Sequence, residues 1–405
     1  MAFQNSLVII AVLSIILGAM AQPSATSNDE VDPSAFLKTF EQWMAQFGRT
    51  YNDIAEKQGR LAIFMKNLLF VNNFNNQGNK THKLNINLFS DMTNEEFLGL
   101  YTGFQAPNIV TFNSSSLLQQ RNTKSFRYQD LSEADVPARV DWREQGAVTP
   151  VKEQGQCSSC WAFSTVATIE GITKIKSDKL ISLSEQQLVD CNRDQINRGC
   201  RGGDMEDAFK YIEENGGITT EEIYQYKGTD ETCDTTKMNE YAAKITGYEM
   251  VPPNSENDLL KAVAMQPVSV GIDANGEEFR AYASGVFSGN CGTNLNHAVT
   301  IVGYGTTEEG TDYWLVKNSW GETWGENGYV RILRNAGPPE GLCGIAMYAS
   351  YPTASAMAPS PSGESYLTTS VCSRWQQDSK AKVKCICLKV KHFQISIAKI
   401  EDTGD

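Results

Sequence analysis

The chain is predicted to fold as an α+β protein of two subdomains, a helical half followed by an antiparallel β half, behind a mainly helical N-terminal region. Three observations carry that expectation. Between Ser159 and Asn215 apolar residues form broad helical surfaces. Beyond Val268 they come in short β-type runs. All ten cysteines lie at or after Cys157, so the stretch before it is chemically distinct. A length of 405 residues is enough for two or three domains with a well-buried core, and 41% hydrophobic with 20% charged residues is an ordinary globular balance.

The N-terminus comes first. Leu7–Leu17 is apolar but too short to span a membrane, which takes about 20 residues. Ala19-Met20-Ala21 then offers a small-x-small cleavage site, so residues 1–21 read as a secretory signal peptide, although no Lys or Arg precedes the apolar run. Entry to the secretory pathway permits disulfides.

From about 30 to 134 the chain is free of cysteine. Glu56, Arg60, Phe64, Asn67, Val71 and Asn75 recur at steps of three and four and line one face of a helix that Gly78 closes. Leu84–Ser90 alternates apolar and polar, as a short strand does. Thr93 with Glu96 is a capping box for a further helix. Asn79 and Asn113 head glycosylation tripeptides.

In the central block, Trp161, Phe163, Val166, Ala167, Ile169, Ile172 and Ile175 mark a buried helix. Ser182 with Glu185, or Ser184 with Gln187, opens a second, and a third spans Met205 to Asn215 before Gly216-Gly217. Strands are expected at 268–272, 298–302, 313–317 and 328–333. After Pro352 a small, polar stretch reads as a linker, followed by an unstructured extension. The net charge of −13 disfavours nucleic acid and anionic membrane surfaces as partners.

Seven cysteines (157, 160, 191, 200, 233, 291, 343) fall in the central block, and an odd count leaves a reactive-thiol candidate. Cys160 stands near a helix start, where free N–H groups and the macrodipole favour a thiolate. A hairpin centred between Thr307 and Glu308 would set His297 opposite Asn318, close enough for the amide to orient the imidazole. If the halves pack side by side, Cys160 meets His297 across the cleft as a thiolate–imidazolium pair. The Cys160 N–H and the Gln154 amide are then the donors for an oxyanion. Cys157-x-x-Cys160 could instead be a redox pair or a zinc ligand set, but no thioredoxin-like βαβ pattern and no second C-x-x-C or paired His accompanies it.

The sequence resembles the papain-like cysteine proteases, and more narrowly the plant members of the cathepsin L-like branch. The resemblance runs through Gln154…Cys157-Ser158-Ser159-Cys160-Trp161-Ala162-Phe163, Val140-Asp141-Trp142-Arg143, Gly199-Cys200-Arg201-Gly202-Gly203, Asn296-His297-Ala298-Val299, Asn318-Ser319-Trp320-Gly321 and Cys343-Gly344-Ile345. Glu56 to Asn75 matches the E-x3-R-x3-F-x2-N-x3-I-x3-N pattern of the inhibitory propeptide, with Val71 for Ile. Asn85 to Asp91 matches its G-x-N-x-F-x-D motif, with Asn85 for Gly.

The resemblance implies a helical left half, a β-barrel-like right half and an active-site cleft between them. It divides the chain into an inhibitor domain at 36–97 in a propeptide reaching about 134, a peptidase domain at 135–352, and a linker and extension of unknown structure at 353–405. It implies an endopeptidase made as a zymogen: Cys160 as nucleophile, His297 as base and acid, Asn318 as orienter shielded by Trp320, and Gln154 as oxyanion donor. It joins Cys157–Cys200, Cys191–Cys233 and Cys291–Cys343. Substrate would lie along Gly202, Gly203 and Asn296, and Met205, Gly271, Leu295 and Tyr348 would give an apolar pocket for the second residue before the cut. The propeptide would fill the cleft in the non-productive direction and leave at low pH, with Asp91 among the carboxylates that take up protons. Expected partners are protein and peptide substrates, the chain's own propeptide and cystatin-type inhibitors. No metal or cofactor is expected, and the enzyme would be a monomer of the vacuole, lysosome or extracellular space engaged in general protein catabolism. Three departures stand out: Ser158 for the usual Gly, Arg201 for Asn, and Asn296 for an Asp of some members.

Overall fold

In the computed structural model, residues 33–105, 126–355, 367–377, 380–391 and 394–398 are described. The signal-peptide segment 1–21, the glycosylation candidate Asn113 and most of the linker lie outside them.

The N-terminal region opens with helices α1 (Pro33–Gln46) and α2 (Ile54–Asn76), the second capped by Asp53, whose carboxylate accepts the Glu56 N–H at 2.8 Å. Phe36, Phe40, Trp43, Leu61, Phe64 and Met65 form a small core of their own. The polar face of α2 grips the segment that follows. Arg60 donates to Asp91 O and Glu96, Asn67 to Ser90 O and Met92 O, and Asn75 brackets Leu84, donating from Nδ2 to its carbonyl and accepting its N–H at Oδ1.

Strand β1 covers only His82–Leu84. The strand expected over 84–90 is absent because Asn87 and Ser90 bend the chain. Asn87 Oδ1 accepts the Phe89 N–H and Ser90 Oγ accepts the Asn87 N–H, bonds that a ladder would otherwise use. Helix α3 (Asn94–Tyr101) begins at the Thr93–Glu96 capping box.

In the second region, β2 (Val140–Asp141) precedes the buried helix α4 (Cys160–Ser177). Helix α5 (Glu185–Cys191) is capped by Ser184 rather than Ser182, and α6 (Met205–Asn215) ends at Gly216, whose φ of +80° suits a residue without Cβ. These helices share a core of Trp161, Val166, Ile169, Leu188, Phe209 and neighbours.

Then come β3 (Gly247–Met250), α7 (Glu256–Met265), β4 (Val268–Ile272), the short α8 (Glu277–Arg280), β5 (Tyr282–Phe287), β6 (His297–Thr306), β7 (Asp312–Lys317), β8 (Tyr329–Leu333) and β9 (Ala349–Thr353). The sheet runs β1-β5-β8-β7-β6-β4-β9-β3, with β2 also paired to β6. All pairs are antiparallel except β5–β8. This is an α+β architecture, and the path is open where a barrel-like half was expected. One edge strand, β1, comes from the N-terminal region and covers β5, which would otherwise present unpaired backbone.

The hairpin register differs from expectation. Thr300 pairs with Lys317, and Leu315, expected opposite Thr300, pairs with Gly303. Two features move it: the turn is a five-residue loop closed by Thr307 N–H to Thr311 O, and the ladder slips between Ile301 and Gly303. His297 and Asn318 therefore sit beyond the paired residues of this ladder.

Residues 356–405 form a separate compact unit. In the extension left without an assigned structure, the described residues form an antiparallel ladder of β10 (Leu367–Gln377), β11 (Lys380–Lys391) and β12 (Gln394–Ala398). The alternation Lys380-Ala381-Lys382-Val383-Lys384 has the period of a strand, a signal masked by its basic composition. Among the described residues no helix is long and apolar enough to cross a membrane.

Candidate active site

Disulfides join Cys157 to Cys200, Cys191 to Cys233 and Cys291 to Cys343, the three pairs carried over from the family. Cys160 is free and fully buried as the first residue of α4. Its sulfur is surrounded by the N–H groups of Ala298, Trp161, Gly103 and Phe104. The Ala298 contact places it next to His297, the first residue of β6.

The imidazole is held from two sides. His297 Nε2 lies 2.8 Å from Asn318 Oδ1, and the ring stacks on Trp320 at 4.5 Å and 22°. Asn318 Oδ1 also accepts the Ser319 N–H, which fixes the amide with its oxygen toward the ring. Nε2 then carries the proton, and Nδ1, buried without a partner, is the nitrogen left for a proton from the sulfur.

Gln154 is also fully buried: Ser319 Oγ donates to its Oε1, and its Nε2 donates to Cys157 O and Tyr101 O.

The cleft is occupied by the N-terminal region. After α3 the chain passes over Cys160, where the N–H groups of Gly103 and Phe104 both donate to Asn296 O. Phe104 bridges Gly203 in the parallel sense, with Gln105 N–H to Gly203 O and Gly203 N–H to Gly103 O. Its ring enters the expected apolar pocket. A Cβ on Gly271 would lie 2.5 Å from that ring, the Tyr348 ring lies 5.1 Å away at a tilt of 60°, and Met205 and Leu295 belong to the same core cluster as Phe104. Gly202 is needed because a Cβ there would meet Gly103 O at 2.5 Å. Asn296 takes the crossing chain on its backbone, while its side chain ties down the Ala274 N–H and Asn275. The cleft thus brings together all eleven catalytic and pocket residues chosen from the sequence.

Burial sets the electrostatics. It pushes the Cys160 thiol up to about 11, against a smaller opposing pull from the surrounding N–H groups. It also pushes His297 down to about 4, only partly offset by the Asn318 bond. Both shifts favour the neutral forms, and His297 Nδ1 has no hydrogen-bond partner. Burial therefore works against the thiolate–imidazolium pair expected from the sequence while the N-terminal segment covers the sulfur.

The sequence places Tyr101–Gln105 within the propeptide reaching about 134 but does not single it out as the stretch that crosses the cleft. The one signal was an aromatic residue directly after a glycine, which is common by chance. Sequence reasoning missed the contact of Ser158 with α3 and the Trp320 Nε1 bond to Tyr101 O at 3.1 Å. Asn79, exposed and at φ +62°, stands in the turn before β1.

With this geometry, the comparisons with known proteins are direct. The family description "Papain family cysteine protease" matches residues 136–353, and "Cathepsin propeptide inhibitor domain (I29)" matches 40–97. Vignain of Vigna mungo is 49% identical over 352 residues, 87% of this chain and 95% of that protein. The recombinant stem bromelain precursor superposes with a TM-score of 0.70 at 43% identity, over 79% of this chain and 99% of that one. The proform of the ragweed pollen allergen Amb a 11 gives 0.71 at 40% identity, over 83% and 99%. The chain belongs to the papain family of cysteine endopeptidases and carries the family's propeptide inhibitor domain, so that it is made as a proform.

Proposed function

We propose that the mature enzyme hydrolyses peptide bonds through Cys160 and His297, and that it prefers an apolar residue at the second position before the cut. The observation that carries this reading is Phe104 seated among Met205, Gly271, Leu295 and Tyr348, with Gly103 beside the sulfur. A chain in the same cleft but running the opposite way would offer a carbonyl carbon to Cys160 where the propeptide offers N–H groups.

Removal of the propeptide, up to about residue 134, lets water into the cleft. Less burial lowers the thiol's pKa and raises that of the imidazole, so a proton passes from Sγ to Nδ1. The thiolate attacks the scissile carbonyl. The Cys160 N–H and Gln154 Nε2, then free of Tyr101 O, stabilise the oxyanion. The imidazolium protonates the leaving amine, Asn318 and Trp320 hold the ring in plane, and water releases the acyl group.

The leader-like residues 1–21 and the three disulfides support the secretory pathway, ending in the vacuole, lysosome or extracellular space. The same reading gives a monomer open to cystatin-type inhibitors, general protein catabolism as its role, and a glycan at Asn79.

The test is acid maturation of the full-length chain, followed by assay with fluorogenic peptides that carry Leu, Phe or Arg at that second position. Leu or Phe should be cleaved faster, and Cys160→Ala should abolish cleavage. Faster cleavage of the Arg peptide would refute the pocket assignment.

A further inference from the structure

Helix α3 ends with its last-turn carbonyls directed at the catalytic face. Such carbonyls have no partner inside the helix, and they carry the negative end of its dipole. Here their partners are mostly side chains of the peptidase domain. Leu98 O accepts from Thr102 Oγ1 at 2.7 Å, within the propeptide. Gly99 O accepts from Ser158 Oγ at 3.2 Å. Tyr101 O accepts from Gln154 Nε2 at 3.2 Å and from Trp320 Nε1 at 3.1 Å. The helix end therefore rests on the side chain that the proposed mechanism assigns to the oxyanion.

Ser158 also shapes the wall that the chain crosses. A Cβ added at Gly103 would lie 2.6 Å from Ser158 Cβ and would collide with Ser158 O. The wall admits the propeptide because position 103 is glycine. Ser158 is a departure of this chain from the family's usual glycine, and catalysis makes no use of its hydroxyl.

We propose that the carboxyl end of α3 acts as a surrogate oxyanion, and that Ser158 is a specificity-determining residue for the inhibitor. Its hydroxyl adds a donor for the helix end, beside a wall whose backbone carbonyl already requires glycine at the crossing point. The inference rests on the cleft being the active site proposed above. It accounts for how a helix, which supplies no reactive carbonyl, competes with substrate for the Gln154 donor.

The experiment uses the full-length zymogen at neutral pH, before any processing. The rate of iodoacetamide labelling of Cys160 is divided by the rate for the same variant after maturation, so that any effect on the sulfur itself cancels. Loss of one net hydrogen bond should raise this ratio about fivefold in Ser158→Ala. Ser158→Thr, which keeps a hydroxyl, should stay closer to the parent, and Gly103→Ala should exceed Ser158→Ala. A ratio for Ser158→Ala within about twofold of the parent, at the precision expected for a single hydrogen bond, overturns the inference. So does an equal rise in Ser158→Thr, which would mean general loosening. If the mature parent is not labelled at all, the active-site reading falls too; normal labelling with a flat ratio removes this inference alone.

Discussion

His82 makes the grip of the propeptide depend on acidity. It lies on β1, paired to β5 of the peptidase domain, and is 3% exposed. Phe74 and Phe287 hold its ring at 4.9 Å and Tyr282 at 6.4 Å, and neither ring nitrogen has a hydrogen-bond partner. Burial, with Lys80 adding to it, pushes the imidazole down to about 4. Glu278 on α8 also faces it, with its carboxylate 3.5 Å from Nε2.

Once β1 leaves the sheet, the ring returns to its ordinary value of about 6.5. The seated form therefore has the lower pKa. Its stability is fully present above pH 6.5 and is lost as pH falls toward 4. Between pH 7 and pH 5 this weakens docking by about 20-fold, an upper figure because Glu278 would hold part of the new charge.

The perturbation is His82→Phe, which keeps an aromatic ring in the site and removes the titration. The assay is the initial rate of autoprocessing at pH 5 relative to pH 7. Catalytic pH effects are common to both proteins and cancel between them. The parent's acid response should exceed that of His82→Phe by roughly tenfold. Equal responses, with both zymogens folded at pH 7, would show that His82 does not set the acid response.

Three further outcomes follow from the same contacts. Asn318→Ala removes the bond that orients His297 and should lower kcat by roughly 10- to 100-fold with little change in KM, measured on a Leu- or Phe-containing peptide. Phe104→Ala empties the apolar pocket in the zymogen and should raise the labelling of Cys160 before processing by roughly tenfold or more. Arg280 is buried and donates to Asn67 Oδ1 at 2.9 Å and Met92 O at 3.0 Å, both in the propeptide region. Arg280→Ala should cost the zymogen roughly 1–3 kcal/mol and lower its thermal midpoint more than that of the processed enzyme, whose Arg280 has already lost those partners.

Much of this site was legible in the sequence because local signals and covalent constraints agree. The Thr93–Glu96 capping box, the helix from Met205 to Asn215 and the strand Val268–Ile272 coincide with the structure, since caps and hydrophobic periods act over a few residues. The odd cysteine count pointed to one free thiol, and the three disulfides leave Cys160 free.

What failed was register and long-range contact. The loop after Thr306 and the slip near Val302 moved the ladder, yet His297 still reached Asn318, because that bond forms past the end of the pairing. No local pattern marks Tyr101–Gln105 as the cleft's occupant, since its fit depends on Gly202, Gly203 and Gly271 far along the chain. Nor does a sequence reveal that burial by one's own N-terminal region works against the charge pair.

The central claim is that the segment over Cys160 keeps the thiol neutral and that its removal creates the ion pair. The direct test is the pH profile of iodoacetamide labelling at Cys160, read by mass mapping, in the intact zymogen and in the matured enzyme. The zymogen should label slowly, with a rate that rises only in strong alkali, toward the thiol value of about 11. The matured form should label fast already at acidic to neutral pH. Superimposable profiles, or a zymogen that labels as readily as its product, would contradict that claim.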